Sequence, residues 1–175
     1  ADQVALSYEK SFSLPVTVLR PFNTFGPRQS ARAIIPTIIT QTLKGKTIKL
    51  GSLFPTRDFT YVEDTVSAFI NSINNKKNIG EVVNVGSGFE ISIKKLVSII
   101  SELMGRKINI KRDNLRVRPK NSEVVRLLAS TKKAKKLMNW KPKFSNINGL
   151  KKGLSKTISW FSKSENLKSY KTNIF

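Results

Sequence analysis

An α/β fold with at least some parallel strands is what this sequence predicts, and two observations predict it. Short strand-like apolar runs alternate with segments of helical period, and the spacing between successive runs leaves room for a helix to cross over. Helix punctuation falls where that alternation needs it, with Ser92 placed as an N-cap and Gly45 and Gly105 placed as stops.

The elements follow in order. Val4, Ala5, Tyr8 and Phe12 share helical spacing with no cap before them, so the chain is expected to begin inside a helix already under way at Ala1. Val16 to Leu19 reads as a strand that stops at the Arg20-Pro21 pair and gives way to a loop, "PFNTFGPRQ". A helix from Ile35 to Leu43 follows, with Pro36 in its first turn, where the missing N–H costs no hydrogen bond. "KTIKLGS" and "TRDFTYV" read as strands, the second alternating Asp58 and Thr60 against Phe59 and Tyr61.

Glu63 and Asp64 then open a helix at the positive end of its dipole, and Val66, Phe69, Ile70 and Ile73 form its apolar stripe. "EVVNVGS" is a further strand, and Ser92 caps a helix whose Ile93, Leu96, Val97 and Ile100 face a core. From "KINIKRDNLRVRPKNSEVV" onward the periodicity loosens. Two helices close the chain, Thr131 to Leu137 and one in which Leu150, Leu154, Ile158 and Phe161 share a face; the segment after Ser164 has few apolar residues and is expected to fray. No internal repeat, low-complexity tract or interdomain linker interrupts this order.

Composition narrows the chemistry. A chain of 175 residues with 39% hydrophobic content can bury a core as one domain or as a piece of a larger one. It contains no run of eighteen apolar residues and no signal-peptide pattern at its start, so a soluble, cytoplasmic location is expected, with no membrane partner. With Cys 0 and His 0, disulfides, zinc sites and Ser-His or Cys-His catalysis are excluded within this sequence. The balance of 32 Lys and Arg against 11 Asp and Glu, net +21, attracts anions: nucleic acid, a membrane surface or a phosphorylated ligand, or it is simply a lysine-rich solvated surface. Aromatic residues do not interleave with the basic ones as single-strand binders require, and no zinc finger, RNP-type strand or GXXG loop is present.

Three basic loops remain: Arg28 after the first strand, Arg57 at the head of "TRDF", and Arg116 with Arg118 in "RVRP". Taken singly each is an ordinary surface arginine. Brought together they make a diphosphate clamp, because guanidinium grips phosphate oxygens in a bidentate fork. "NVGSG", Asn84 to Gly88, lacks the third glycine of a dinucleotide loop and the Lys-Ser/Thr of a P-loop, so it reads as a turn. "YVED" reads as a helix cap rather than a catalytic acid pair.

Five blocks, "LRPFNTFGPRQ", "IIPTIITQTLKGKTIKLGS", "TRDFTYVEDTVSAFINSI", "EVVNVGSGFEISIKKLVSII" and "RPKNSEVVRLLASTKKAKKLMNWKP", stand in the order seen in the extended short-chain dehydrogenase/reductase family. Within it the chain resembles NAD-dependent nucleotide-sugar epimerases and dehydratases, most of all UDP-N-acetylglucosamine 4,6-dehydratases of legionaminic-acid-type pathways. The resemblance implies the C-terminal part of a Rossmann-type fold with a small α/β substrate-binding subdomain over residues 1–163, followed by a frayed tail at 164–175.

It also implies roles for particular residues. Pro21 and Phe22 match positions that approach the nicotinamide end of NAD. Asn23 matches one that bonds the sugar-nucleotide diphosphate, Leu50 one that lies against the base, Arg57 and Arg118 the two diphosphate arginines, and Glu123 an acidic position near the ribose hydroxyls. A UDP-sugar substrate and a homodimeric full-length enzyme are the implied partners.

Departures from the family pattern matter equally. None of the three tyrosines, Tyr8, Tyr61 and Tyr170, has lysine four places on, so the family's Tyr-x-x-x-Lys dyad is absent. The glycine-rich NAD loop and the acidic pair of dehydratases are absent too. The chain is therefore expected to be the C-terminal half of such an enzyme, inactive by itself, with NAD held mainly by the other half. Dehydratase and 4-epimerase both remain open, as do a stand-alone basic module that binds nucleic acid or anionic surfaces and a degenerate sugar-nucleotide sensor.

Overall fold

A computed structural model describes residues 1–117, 119–168 and 170. The chain opens with helix α1 (Asp2–Phe12) and then strand β1 (Val18–Pro21). The strand was expected to stop before Arg20. It runs on through Pro21 because its ladder partner is set by register, and a proline without an N–H is tolerated at a strand end; Val16 and Thr17 instead bond the turn at Asn78–Gly80, through Gly80 N to Val16 O at 2.7 Å and Thr17 Oγ1 to Asn78 O at 2.9 Å.

The expected loop then forms a short strand, β2 (Asn23–Phe25), before α2 (Ile34–Lys44), β3 (Thr47–Leu50), β4 (Thr56–Tyr61) and α3 (Val62–Ile73). Next come β5 (Val82–Val85), β6 (Glu90–Ser92) and α4 (Ile93–Leu103), whose N-cap Ser92 Oγ accepts from Lys95 N at 3.2 Å. Strand β7 (Asn109–Arg112) and the two-residue β8 (Arg126–Leu127) occupy the stretch where periodicity loosens. Helices α5 (Lys132–Met138), α6 (Asn146–Phe161) and the one-turn α7 (Ser164–Leu167) follow.

Among the described residues the strands form three sheets. β1 pairs parallel with β5, Val18 opposite Val82 and Pro21 opposite Val85, as expected of two late strands of a Rossmann sheet. β4 pairs parallel with β2 and β8 and antiparallel with β6, and β3 pairs parallel with β7. The larger core gathers Ile38 and Ile39 of α2, Leu96 and Ile100 of α4, and Leu150, Leu154 and Phe161 of α6 around β4, with Phe25 set edge-on to Phe59. A smaller cluster of Ala68, Val83, Val85, Met138 and Trp140 packs α3 and α5 on the parallel pair.

Two expectations about faces change. β4 shows no polar face, since Asp58 and Thr60 are as buried as Phe59 and Tyr61: the strand is covered on both sides, and Asp58 finds its donors inside. In α3 the buried positions are Asp64, Thr65 and Ala68, while the apolar stripe Val66, Phe69, Ile70 and Ile73 faces outward, Ile73 at 83% exposure. Thr65 and Ala68 on the inner side are small, and Thr65 Oγ1 lies 3.0 Å from Thr24 Oγ1 of β2, so the helix packs close and the large residues stay outside. Phe69 and Ile73 join Pro15, Leu19 and Ile79 along one apolar groove, and Phe12 of α1 is 72% exposed as well.

Such a surface promotes association. Ile73→Lys is expected to lower self-association in sedimentation velocity at an unchanged thermal midpoint, because Ile73 gives up almost no burial.

The segment expected to fray at 164–175 begins with α7, and Tyr170 packs on Trp160 and Phe161 with centroids 6.0 and 5.4 Å away. Residues 169 and 171–175 lie outside the described residues.

Candidate functional site

The parallel pair β1–β5 ends at one edge, with Pro21 and Val85 side by side. Ligands of open α/β sheets bind beyond such carboxyl ends. Phe22 N donates to Val85 O at 2.8 Å, which turns the chain out of β1 and delivers Asn23 into β2, paired opposite Phe59. Pro21 is exposed and Phe22 half-buried at this edge. They can present a flat apolar contact to a nicotinamide ring; a cradle for the rest of a dinucleotide is not among the described residues.

Beyond Asn23 lies a cavity of about 560 Å³, lined by residues that are widely separated in sequence. Asn23 comes from β2, Leu50 from the end of β3, Arg57 from β4, and Arg116 and Glu123 from the loop between β7 and β8. The structure therefore brings together four of the five residues expected to hold substrate. The fifth, Arg118, lies outside the described residues.

Each group is held in a definite way. Asn23 Nδ2 donates to Asp58 O at 3.2 Å, which leaves its amide oxygen to a ligand donor. Leu50 is 1% exposed and forms part of the cavity floor as well as of the core. The Arg57 guanidinium donates to Thr56 O at 2.8 Å and pairs with Glu123 at 3.1 Å, the two side chains only 15% and 12% exposed. Arg116 pairs with Asp113 at 3.1 Å.

Arg28, the remaining arginine of the expected clamp, does not reach this cavity. It lines a different depression with Trp160, Glu165 and Tyr170, because a left-handed φ of 63° turns its side chain away from the loop's inner face. Gln29 and Arg32 of the same loop line the cavity in its place, with Ala33 at the start of α2. Neither was expected. The signal was present in "GPRQSAR", but only the turn after Gly26 decides which residues of such a loop face in.

The loop Gly86–Gly88 proves to be an internal anchor. Ser87 N and Gly88 N donate to the buried Asp58 carboxylate at 2.8 and 2.9 Å, Ser87 Oγ at 2.6 Å and Ala129 N at 3.2 Å. Its amides hold a carboxylate of the protein itself and are not available to a phosphate. Asp58 thereby ties the strand carrying Arg57 to the end of β5 and to the segment after β8.

"YVED" changes in the same sense. Tyr61, not either acid, occupies the α3 N-cap position, and the Asp64 carboxylate accepts Lys143 N and Phe144 N at 2.8 Å each. Burial pushes the Asp64 carboxyl above its ordinary range, and those two hydrogen bonds oppose the shift. Glu63 instead pairs with Lys156 at 2.8 Å.

A close approach fixes the cavity's far wall. A Cβ on Gly51 would collide with the backbone carbonyl of Arg116, so the β7–β8 loop packs directly on residue 51. Gly51→Ala is expected to displace that loop and weaken ligand binding about tenfold in calorimetry, while far-UV circular dichroism stays unchanged.

Among the described residues no helix is long and apolar enough to cross a membrane. Residues 1–153 match the family model described as GDP-mannose 4,6 dehydratase. An uncharacterized UDP-glucose epimerase of Bacillus subtilis, YtcB, is 34% identical over 157 residues, 89% of this chain and 47% of that protein. A UDP-glucuronate 4-epimerase of Thermodesulfobacterium geofontis is 33% identical across 91% of this chain and 47% of its own length. Among solved structures, a dTDP-glucose 4,6-dehydratase of Bacillus anthracis in complex with NAD superposes with a TM-score of 0.79 at 30% identity, over 94% of this chain and 50% of that one. The chain thus spans about half the length of the relatives it matches.

Proposed function

Because this chain belongs to the GDP-mannose 4,6 dehydratase family, among the extended short-chain dehydrogenase/reductase epimerases and dehydratases of nucleotide sugars, we propose that it is the C-terminal, substrate-binding portion of an NAD-dependent nucleotide-sugar 4,6-dehydratase acting on a UDP-sugar. One observation carries the reading: Asn23, Leu50, Arg57, Arg116 and Glu123, scattered over a hundred residues of sequence, line a single cavity.

The chemistry of the lining fits that ligand. Guanidinium groups suit the diphosphate, the Leu50 floor suits a flat base, and the Glu123 carboxylate suits ribose hydroxyls once the diphosphate has taken its place on Arg57. Arg118 is assigned to the same clamp from the family pattern. Pro21 and Phe22 would meet the nicotinamide end of NAD, which supplies the hydride acceptor for oxidation at C4 before water elimination and hydride return. The full-length enzyme is read as a cytoplasmic homodimer.

The direct test is calorimetry of the 175-residue chain with UDP-N-acetylglucosamine, UDP, UMP and mixed-sequence DNA. Binding that strengthens from UMP to UDP to the UDP-sugar supports the assignment. Binding of DNA alone, falling steeply with salt, would overturn it in favour of a basic nucleic-acid module. The chain by itself should show no turnover, since it lacks the Tyr-x-x-x-Lys dyad; measurable conversion of a UDP-sugar would contradict the half-enzyme reading.

A second reading, 4-epimerase of the same family, draws support from the two epimerase relatives above. Product mass from the completed enzyme separates the two. A dehydratase product is lighter than its substrate by one water, whereas an epimer has the same mass.

A further inference from the structure

The loop that carries Gln29 and Arg32 into the cavity is tied down from an unexpected direction. After α6, Lys163 O accepts Asn166 N at 3.0 Å, Leu167 O accepts Tyr170 N at 3.0 Å, and Asn166 Nδ2 reaches back to Trp160 O at 2.8 Å. The chain is folded back on the helix it has just left. Tyr170 then lays its ring against Trp160 and Phe161, whose own centroids are 4.8 Å apart, and its hydroxyl donates to the backbone carbonyl of Gln29 at 3.0 Å, across 141 positions of sequence. Apart from Gln29, these residues lie beyond residue 153, where the family match ends.

Gln29 sits in a backbone that needs an external hold. Arg28 before it adopts a left-handed φ of 63°, a region that is unfavourable for a residue with a Cβ. Gln29 N bonds Gly26 O at only 3.4 Å, so the turn itself supplies little restraint. The side chain is held from the cavity side, Nε2 donating to Thr24 O at 2.7 Å. With its carbonyl fixed by Tyr170 and its amide by Thr24, Gln29 is clamped from both ends, and Arg32 and the start of α2 follow a few residues on. Gln29 Oε1 is buried and has no hydrogen-bond partner among the described residues, which leaves one acceptor at the wall of the cavity.

We propose that Tyr170 is a positioning residue for the ligand cavity: residues 162–168 and 170, after α6, act as a strap whose phenol fixes the Gln29 carbonyl and so sets the inner face of residues 26–33. A phenol is protonated at neutral pH and so a donor there, and burial pushes that of Tyr170 further up, against the opposing charge of Arg28. The inference rests on reading the cavity as a sugar-nucleotide site, but the strap can be tested apart from that reading.

Tyr170→Phe is the decisive variant, because it keeps the ring packing and removes only the hydroxyl. Residue-resolved amide hydrogen exchange on the full 175-residue chain should quicken at residues 28–33 and nowhere else. The dissociation constant for UDP-N-acetylglucosamine should rise about three- to tenfold, while the thermal midpoint falls by no more than the few degrees that one lost hydrogen bond accounts for. Unchanged exchange in the loop overturns the strap, whatever binds. Faster exchange spread over the whole chain, with a midpoint lowered beyond that, overturns it too, because Tyr170 would then be an ordinary packing residue. If the unaltered chain takes up no sugar nucleotide, the cavity reading fails, and exchange at residues 28–33 still decides the strap by itself.

Discussion

Arg57→Ala is expected to weaken binding of a UDP-sugar about 100-fold, or about 2.7 kcal/mol, the scale of losing a bidentate charge-assisted contact to phosphate. Isothermal titration calorimetry on the 175-residue chain measures it. The same substitution has a second effect that separates the arginine's two roles. Its carboxylate partner Glu123 is only 12% exposed, so removing the guanidinium strands a partly buried charge and lowers stability as well as affinity.

Arg57→Ala combined with Glu123→Gln should recover most of the lost stability and none of the lost affinity. Glu123→Gln alone, which keeps one oxygen to accept from the ribose hydroxyls, should leave binding of UDP equal or tighter, since the diphosphate then meets an arginine without a competing carboxylate. If Arg57→Ala binds UDP-sugar as tightly as the unaltered chain, the clamp does not exist. If the double variant regains affinity, the pairing with Glu123 and not the ligand was the function of Arg57.

Asp58→Asn carries the largest expected effect on the fold. The two carboxylate oxygens accept Ser87 N and Oγ on one side and Gly88 N and Ala129 N on the other, in a site with no exposure. An amide is the same size but turns one acceptor into a donor, which must then face N–H groups. The expected cost is about 3–5 kcal/mol, the scale of breaking a buried hydrogen-bonded charge network. In a chain of this length that lowers the thermal midpoint by roughly 10 °C. Differential scanning calorimetry decides it, and a shift of a degree or two would show that the loop after β5 holds its shape without the carboxylate. Thr60→Val, which removes only the 3.4 Å contact to the same carboxylate, should cost far less.

The comparison explains how the site is assembled. Asp58 and Asp64 are the hidden scaffold: one holds the end of β5 and the segment after β8 to the strand of Arg57, and the other holds Lys143 and Phe144 to α3. Both were read as ordinary positions, Asp58 as the polar face of a strand and Asp64 as part of a helix cap. Nothing local distinguishes a capping aspartate from one that accepts backbone N–H groups eighty residues away. The partner is fixed by packing, and packing is not periodic.

Much of the rest was legible. The helices from Ile34 and Ile93 appear within a residue or so of where apolar period, Pro36, Ser92 and the glycines placed them, because those signals act over a single turn. The helix Asn146–Phe161 carries the face of Leu150, Leu154, Ile158 and Phe161 that was read without bounds. The strands of two or three residues, β2, β6 and β8, were not read from the sequence, since so short a run carries no period. The outward stripe of α3 was legible as a stripe but not as a surface: a helical moment says that one side is apolar and not what lies against it.

By itself the sequence determined the α/β class, the family, the exclusion of thiol and imidazole chemistry, and the residue types suited to gripping a diphosphate. Those properties reside in composition, local period and the order of motifs. Only the tertiary structure decided that Arg57 and Glu123 face one another in one cavity, that Arg28 turns away while Gln29 and Arg32 turn in, and that the Tyr170 hydroxyl reaches back across the fold to the Gln29 carbonyl. Each depends on where the chain is bent and what it is packed against, and such contacts join residues too far apart in sequence for any local pattern to record.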